Sequence, residues 1–178
     1  MELVKQNDPI LKQVCKQFDF ENPVMDPTQL VSEMQAIRKL DGGVGLAAPQ
    51  VGIDAQMLVI GMGSFETKGT EDFEMSFFNP VIKKYGEDTE YYIEGCLTFP
   101  GLYIKVKRPK EIVLSWQDDK QVHWEENFGG MTSRILQHEV DHLNGVVFLN
   151  RAHRHHLEKA LKEQKLLHRR RKRNGRTL

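Results

Sequence analysis

Residues 131–143, MTSRILQHEVDHL, carry two histidines, His138 and His142, four residues apart in a stretch whose apolar residues recur at helical spacing. A pair at that spacing projects from one face of a helix, so both imidazoles can share one metal ion. Glu139 follows the first histidine and lies within reach of a water beside such an ion. The helix is bracketed by Gly129 and Gly130 before it and by Asn144 and Gly145 after it, the last two a common stop signal. Histidines on an otherwise apolar helix are buried rather than merely solvated, so other structure must surround them.

That surrounding structure is read as strands. Apolar and β-branched runs predict strands at QMLVIGM (56–62), FFNPVI (77–82), YYIEGCLTF (91–99), KEIVLSWQ (110–117) and QVHWEENF (121–128), the last two joined by a turn at Asp118 and Asp119. GSFETKGTEDFE (63–74) reads as a polar surface loop. An earlier helix is predicted over 27–40, with Asp26 as its cap, Pro27 in its first turn and Leu30, Met34 and Ile37 at helical spacing, stopped by Asp41, Gly42 and Gly43. A last helix, about 155–168, has Leu157, Leu161 and Leu166 or Leu167 on its apolar side. The fold class is therefore α+β: antiparallel strands around a central helix carrying the HExxH motif, with a C-terminal helix.

At 178 residues, 39% of them hydrophobic, the chain fits one compact domain over 1–150, followed by a helix and basic tail over 151–178. Residues 151–178 carry 11 Lys/Arg against 2 Asp/Glu, which leaves 14 against 23 for residues 1–150, so a neutral total hides an acidic body and a basic end. No apolar run approaches the roughly 18 residues that span a bilayer, and MELVKQNDPI has no signal-peptide character. A cytoplasmic protein without a membrane partner is expected, in a bacterium or a phage-infected host, an organelle being the other possibility. With only Cys15 and Cys96, no disulfide framework can exist. Cys15, among Ile10, Leu11 and Val14, reads as a small core residue.

Two histidines leave a catalytic metal one protein ligand short of its usual three. Extended zincin motifs place a third histidine six residues past the second, where this chain has Phe148. Glu158 and Glu163 lie among Lys and Leu and read as exposed. Cys96 is the stronger candidate, because Glu94 and Gly95 precede it at a strand end and a glycine there allows close approach of the backbone.

Three separated segments occur in the order of three known signatures: GVGLAAPQ (43–50), EGCLTFPG (94–101) and QHEVDHLNG (137–145). On these the chain resembles the peptide deformylase family. It departs in the second motif, where Thr98 stands for the usual Ser and Phe99 for a smaller aliphatic residue. The resemblance implies that Cys96, His138 and His142 bind one divalent ion, commonly Fe(II), with Zn, Ni or Co as substitutes; ligand type alone suggests zinc. It implies that Glu139 moves the proton, and that the Gln50 side-chain amide and the Leu97 backbone N–H stabilise the oxyanion. Gly43, Val44, Gly45, Gly95, Met131 and Ile135 are expected beside the substrate, with Val44 lining the methionine pocket.

The implied partners are N-formylmethionyl peptides, from which formate is released. An ion pair between Asp41 and Arg108 is expected to fasten the first motif. The run 168–176 reads as a solvated tail that can contact ribosomal RNA, and HRHH (153–156) as an exposed helix start. Competing readings are an HExxH metallopeptidase and an inactive deformylase-like RNA-binding or ribosome-binding protein.

Overall fold

The structure, a computed structural model, describes residues 1–62 and 73–173. Asp26 caps the first helix, α1 (Pro27–Leu40), by accepting the Gln29 N–H at 2.9 Å. Gly42, at φ +68°, ends it in the left-handed turn that glycine adopts freely. Five strands form one antiparallel sheet in the order β1 (Gly45–Ala47), β2 (Met57–Met62), β3 (Phe73–Tyr85), β6 (Glu111–Gln117) and β7 (His123–Gly129). A separate two-stranded sheet pairs β4 (Thr89–Glu94) with β5 (Ile104–Pro109).

The large sheet is covered on both faces around β2. Met57 and Val59 pack against Leu30 and Met34 of α1, while Leu58 and Ile60 point the other way, toward Leu136 and Val140 of the central helix α2 (Gly130–Leu143). A strand buried on both sides must be apolar at every position, which is why β2 reads as a continuous run. Leu136 is completely buried, so Leu136→Ala would cost about 2–5 kcal/mol through the cavity it leaves.

The second motif's segment and the C-terminal helix share a third core. Phe99, Ile104, Val106 and Phe148 are buried together with Ala160 of α3 (Arg154–Arg173). The end of α2 is tied to the N-terminal segment: the Cys15 N–H donates to Leu143 O at 2.8 Å. Gly145 has φ +69°, and a Cβ there would lie 2.7 Å from the Lys12 carbonyl carbon, so two constraints select glycine.

The α+β architecture, the first helix and the metal-motif helix agree with expectation; several boundaries do not. The strand expected over 91–99 stops at Glu94, because the chain turns there, with the Phe99 N–H donating to Cys96 O at 2.9 Å. Strand β5 went unpredicted, and β3 begins before residue 77. The β6–β7 connection is longer than a two-residue turn: Asp118 and Val122 close it, with Gln121 at φ +66°. Residues 63–72 of the expected loop lie outside the described residues, and 73–74 belong to β3. The last helix runs beyond 168 to Arg173, so this part of the basic run is helical rather than irregular; residues 174–178 are outside the described set.

Candidate metal centre

Helix α2 presents His138 and His142 one turn apart, and the turn after β4 brings Cys96 to them. One ligand atom from each lies within 4.8 Å of the other two, with Cys96 Sγ 3.3 Å from His142 Nε2. A soft sulfur and two imidazole nitrogens suit a borderline divalent ion such as Zn(II) or Fe(II). Glu139 Oε2, buried beside these donors, has no partner among the described residues, which fits a water held next to an ion; His142 Nδ1 is also unpartnered there, but it is the ring nitrogen opposite the Nε2 that faces Cys96. Buried polar atoms without partners are rare and mark an interaction that the protein atoms alone do not supply.

His138 is oriented from behind. Its Nδ1 lies 3.1 Å from Glu94 Oε2, which commits that nitrogen and turns Nε2 toward the other ligands. Glu94 is in turn held by Arg108, from Nε at 2.7 Å and Nη2 at 3.0 Å, and by Arg134 Nη1 at 2.7 Å. Arg108 also donates to Asp141 at 2.8 Å, and Arg151 reaches the same carboxylate from the surface. Burial works against charge on Glu94, but the hydrogen bonds from His138 and Arg108 outweigh it and hold its carboxyl down at about 2. Burial likewise opposes charge on His138, and its bonds to Cys96 and Glu94 overcome this, raising it to about 10. His142, buried beside the positive His138 and Arg108, is driven well below the ordinary histidine range.

Burial also pushes the Glu139 carboxyl up to about 7, against the downward pull of His138 and Arg108. Gly45 of β1 faces it so closely that a Cβ would lie 2.8 Å from Glu139 Cδ. Gln50 sits on the short 3-10 turn that follows β1 and is 1% exposed. Its Oε1 accepts the Ala47 N–H at 2.8 Å, and its Nε2 lies 3.1 Å from Thr98 Oγ1 and 3.4 Å from Cys96 Sγ. The Leu97 N–H donates to no acceptor among the described residues.

A cavity of about 530 Å³ opens beside these groups. Its lining includes Gly43, Val44, Gly45, Gln50, Gly95, Cys96, Leu97, Met131, Ile135, His138 and Glu139, so of the twelve expected residues only His142 is absent, lying just behind the wall. The cavity mouth is partly apolar: Val44, Met131, Tyr92 and Tyr103 all expose surface there. β1 is an edge strand of its sheet, with one side open to pairing.

Two features of the centre differ from expectation. Arg108 does not pair with Asp41; it is 4% exposed and engaged with Glu94 and Asp141, whereas Asp41 is exposed at the cavity rim. A guanidinium buried this deeply needs carboxylates that are buried with it. The orienting role of Glu94 and the bridging role of Arg108 were not anticipated, although Glu94 immediately precedes Gly95–Cys96. Phe148, at the position of a zincin's third histidine, packs with its ring 5.5 Å from that of His138 and tilted to it, in keeping with the absence of the extended zincin pattern.

An antiparallel α+β fold, with two histidines and a neighbouring glutamate on a buried helix and a cysteine brought to them, defines a hydrolase of the HExxH type with a thiol placed where it could join the histidines on one ion. The family model described as polypeptide deformylase matches residues 1–158. A relative named peptide deformylase from Cytophaga hutchinsonii is 36% identical over 164 residues, covering 92% of this chain and 87% of that protein. Among solved structures, a peptide deformylase from Synechococcus elongatus in complex with actinonin superposes with TM-score 0.82 at 33% identity, covering 93% of this chain and 88% of the other. A Met-Ala-Ser-bound class I type b peptide deformylase from Acinetobacter baumannii gives TM-score 0.76 at 27% identity, covering 85% and 97%. The chain belongs to the polypeptide deformylase family. It is an enzyme, a hydrolase of the peptide deformylase type, and no helix among its described residues is long and apolar enough to cross a membrane.

Proposed function

We propose that this chain hydrolyses the formyl amide at the N-terminal formyl-methionine of newly made polypeptides, releasing formate and a free amine, with one divalent ion held by Cys96, His138 and His142. The observation that carries the reading is the convergence of those three donor atoms within 4.8 Å, beside a buried and unpartnered Glu139 oxygen, on the wall of a cavity. Fe(II) is the ion proposed, by family resemblance, with Zn, Ni or Co able to replace it. A divalent cation there supplies Lewis acidity, acidifying water toward neutral pH.

The chain's own residues account for the remaining steps. Glu139, buried beside the donor atoms with one unpartnered oxygen, accepts a proton from the attacking water and returns it to the departing amine nitrogen as the C–N bond breaks. The Gln50 side-chain N–H and the unengaged Leu97 N–H are the donors aimed at the formyl oxygen as it gains charge. The peptide lies along the open edge of β1 at Gly43–Gly45, near Gly95, and the methionine side chain enters the apolar pocket of Val44, Met131 and Ile135. The Met-Ala-Ser peptide bound by the Acinetobacter baumannii relative is the size such a cavity accepts.

The cytoplasm is the proposed location. The basic segment 168–176 is proposed to attract ribosomal RNA, the described part of it being a helical extension of α3. Deleting 168–178 should lower ribosome association at low salt and leave peptide turnover unchanged; unchanged association would overturn that assignment. For the reaction itself, the anaerobically prepared iron form is incubated with formyl-Met-Ala-Ser while free amine and formate are followed. Both should appear in equal amounts, and no release with the metal intact would overturn the proposal.

A further inference from the structure

Thr98, in the second motif, carries a buried hydroxyl that the steps above leave without a role. The Gln50 amide is attached to its side chain by a torsion with a broad, two-fold preference, so nothing in the side chain fixes the plane of the amide. Two contacts do. The Ala47 N–H can only donate, which fixes Oε1 on its side of the amide, and this acceptor lies 2.8 Å away. On the opposite side, Thr98 Oγ1 lies 3.1 Å from Nε2 and accepts one of its two hydrogens. With one anchor on each end, the second N–H of Nε2 has a single direction left, toward Cys96 Sγ at 3.4 Å and the reacting centre.

Thr98 is suited to hold that position. It is 4% exposed, on a turn closed by the Phe99 N–H to Cys96 O bond, and it lies two residues from a metal-binding position. Its extra methyl group, relative to serine, restricts the hydroxyl to fewer rotamers. We infer that Thr98 is a positioning residue for the reaction, its hydroxyl holding the Gln50 amide so that one N–H faces the formyl oxygen. The inference rests on the reading of Gln50 as an oxyanion donor.

Thr98→Val keeps the shape and removes the acceptor. It should lower kcat between about 5-fold and about 10²-fold, the range between a lost neutral hydrogen bond and a lost oxyanion donor, with KM within about 2-fold. Thr98→Ser should restore kcat to within about 2-fold of wild type, since the hydroxyl is all that Gln50 needs. Metal content should be unchanged in both variants. A double-mutant cycle separates this role from mere packing. If Thr98 acts through Gln50, adding Thr98→Val to Gln50→Leu produces no further loss. A loss that multiplies with that of Gln50→Leu, or a Thr98→Val enzyme with wild-type kcat, would overturn the inference.

If Gln50→Leu alone retained full activity, the oxyanion reading of Gln50 would fail instead, which is a distinct outcome. A second test does not depend on the Thr98 variants. In the wild-type zinc form, the Gln50 side-chain amide resonance, identified by its loss in Gln50→Leu, should show two well-separated protons with slowed hydrogen exchange. Fast exchange at the rate of surface glutamines would overturn the inference independently.

Discussion

Arg108→Met removes the guanidinium that joins the two buried carboxylates behind the metal centre, while keeping a flexible apolar side chain of similar reach. In the native chain Arg108 donates to both oxygens of Glu94 and to Asp141, at 2.7 to 3.0 Å, and all three side chains are less than a tenth exposed. Without it, Glu94 keeps Arg134 and His138 and Asp141 keeps Arg151, so neither carboxylate loses every partner. Removing one partner of a buried pair costs roughly 3–5 kcal/mol, and the surviving partners put the expected loss near the lower limit, about 3 kcal/mol. Arg151→Met touches the same Asp141, but the Arg151 side chain is 49% exposed. Its loss should therefore stay under about 1 kcal/mol. Urea unfolding with chelator present, at a slope of about 2 kcal/mol per molar, converts these losses to midpoint shifts of about 1.5 M and under about 0.5 M. Equal shifts in the two variants, or no shift for Arg108→Met, would refute the claim that the buried half of the network carries the stability.

Gly45→Ala would press a methyl group against the Glu139 carboxylate, whose Cδ lies 2.8 Å from the position of the new atom. Displacing that group should reduce kcat/KM by about 10²-fold with the metal retained, as steady-state kinetics and metal analysis would show. Burial, with the charge of Asp54, raises the Cys15 thiol from 9.0 to about 11. At pH 8 a thiol reagent should therefore modify only Cys96 in the folded, chelator-treated chain; two thiols reacting before unfolding would contradict this. Glu94 is held at about 2 against an ordinary 4.5. Because its folded value is depressed, the stability it contributes is present above about pH 4.5 and lost as pH falls from there toward about 2. Acid unfolding followed by circular dichroism should be less steep in that window for Glu94→Gln; an unaltered slope would argue against the pairing.

The parts of the fold that local signals govern were legible in the amino-acid sequence. Helix α2 is written in its apolar spacing, its glycines and the Asn144–Gly145 stop, and α1 in Asp26, Pro27 and the leucine and methionine positions. Strand β5 was hidden because Arg108 occupies an inward position between Val106 and the strand end, where a half-buried strand ordinarily has an apolar residue. Strand β4 was drawn too long because Cys96–Phe99 has strand-like composition yet forms a turn, a conformation set by the site rather than by propensity. At the centre, spacing could supply His138, Glu139 and His142, and Gly95 at a strand end made Cys96 a candidate, but Gln50 and Leu97 required the ordered motifs. The Glu94–Arg108–Asp141 network pairs residues 14 and 33 apart along the chain, and pairing at that range leaves no periodic trace. A charged residue inside an otherwise alternating strand, as at Arg108, is the one signal that could have found it.

Metal content and formate release, measured on the same preparations of wild type, Glu139→Gln and Cys96→Ala, test the central claim most directly. Wild type should hold one divalent ion per chain and release formate from formyl-Met-Ala-Ser. Glu139→Gln should keep the ion while turnover falls by at least about 10²-fold, and Cys96→Ala should lose or weaken the ion and turnover together. A Cys96→Ala chain with full metal content and wild-type formate release would contradict the account, as would a Glu139→Gln chain that turns over at the wild-type rate.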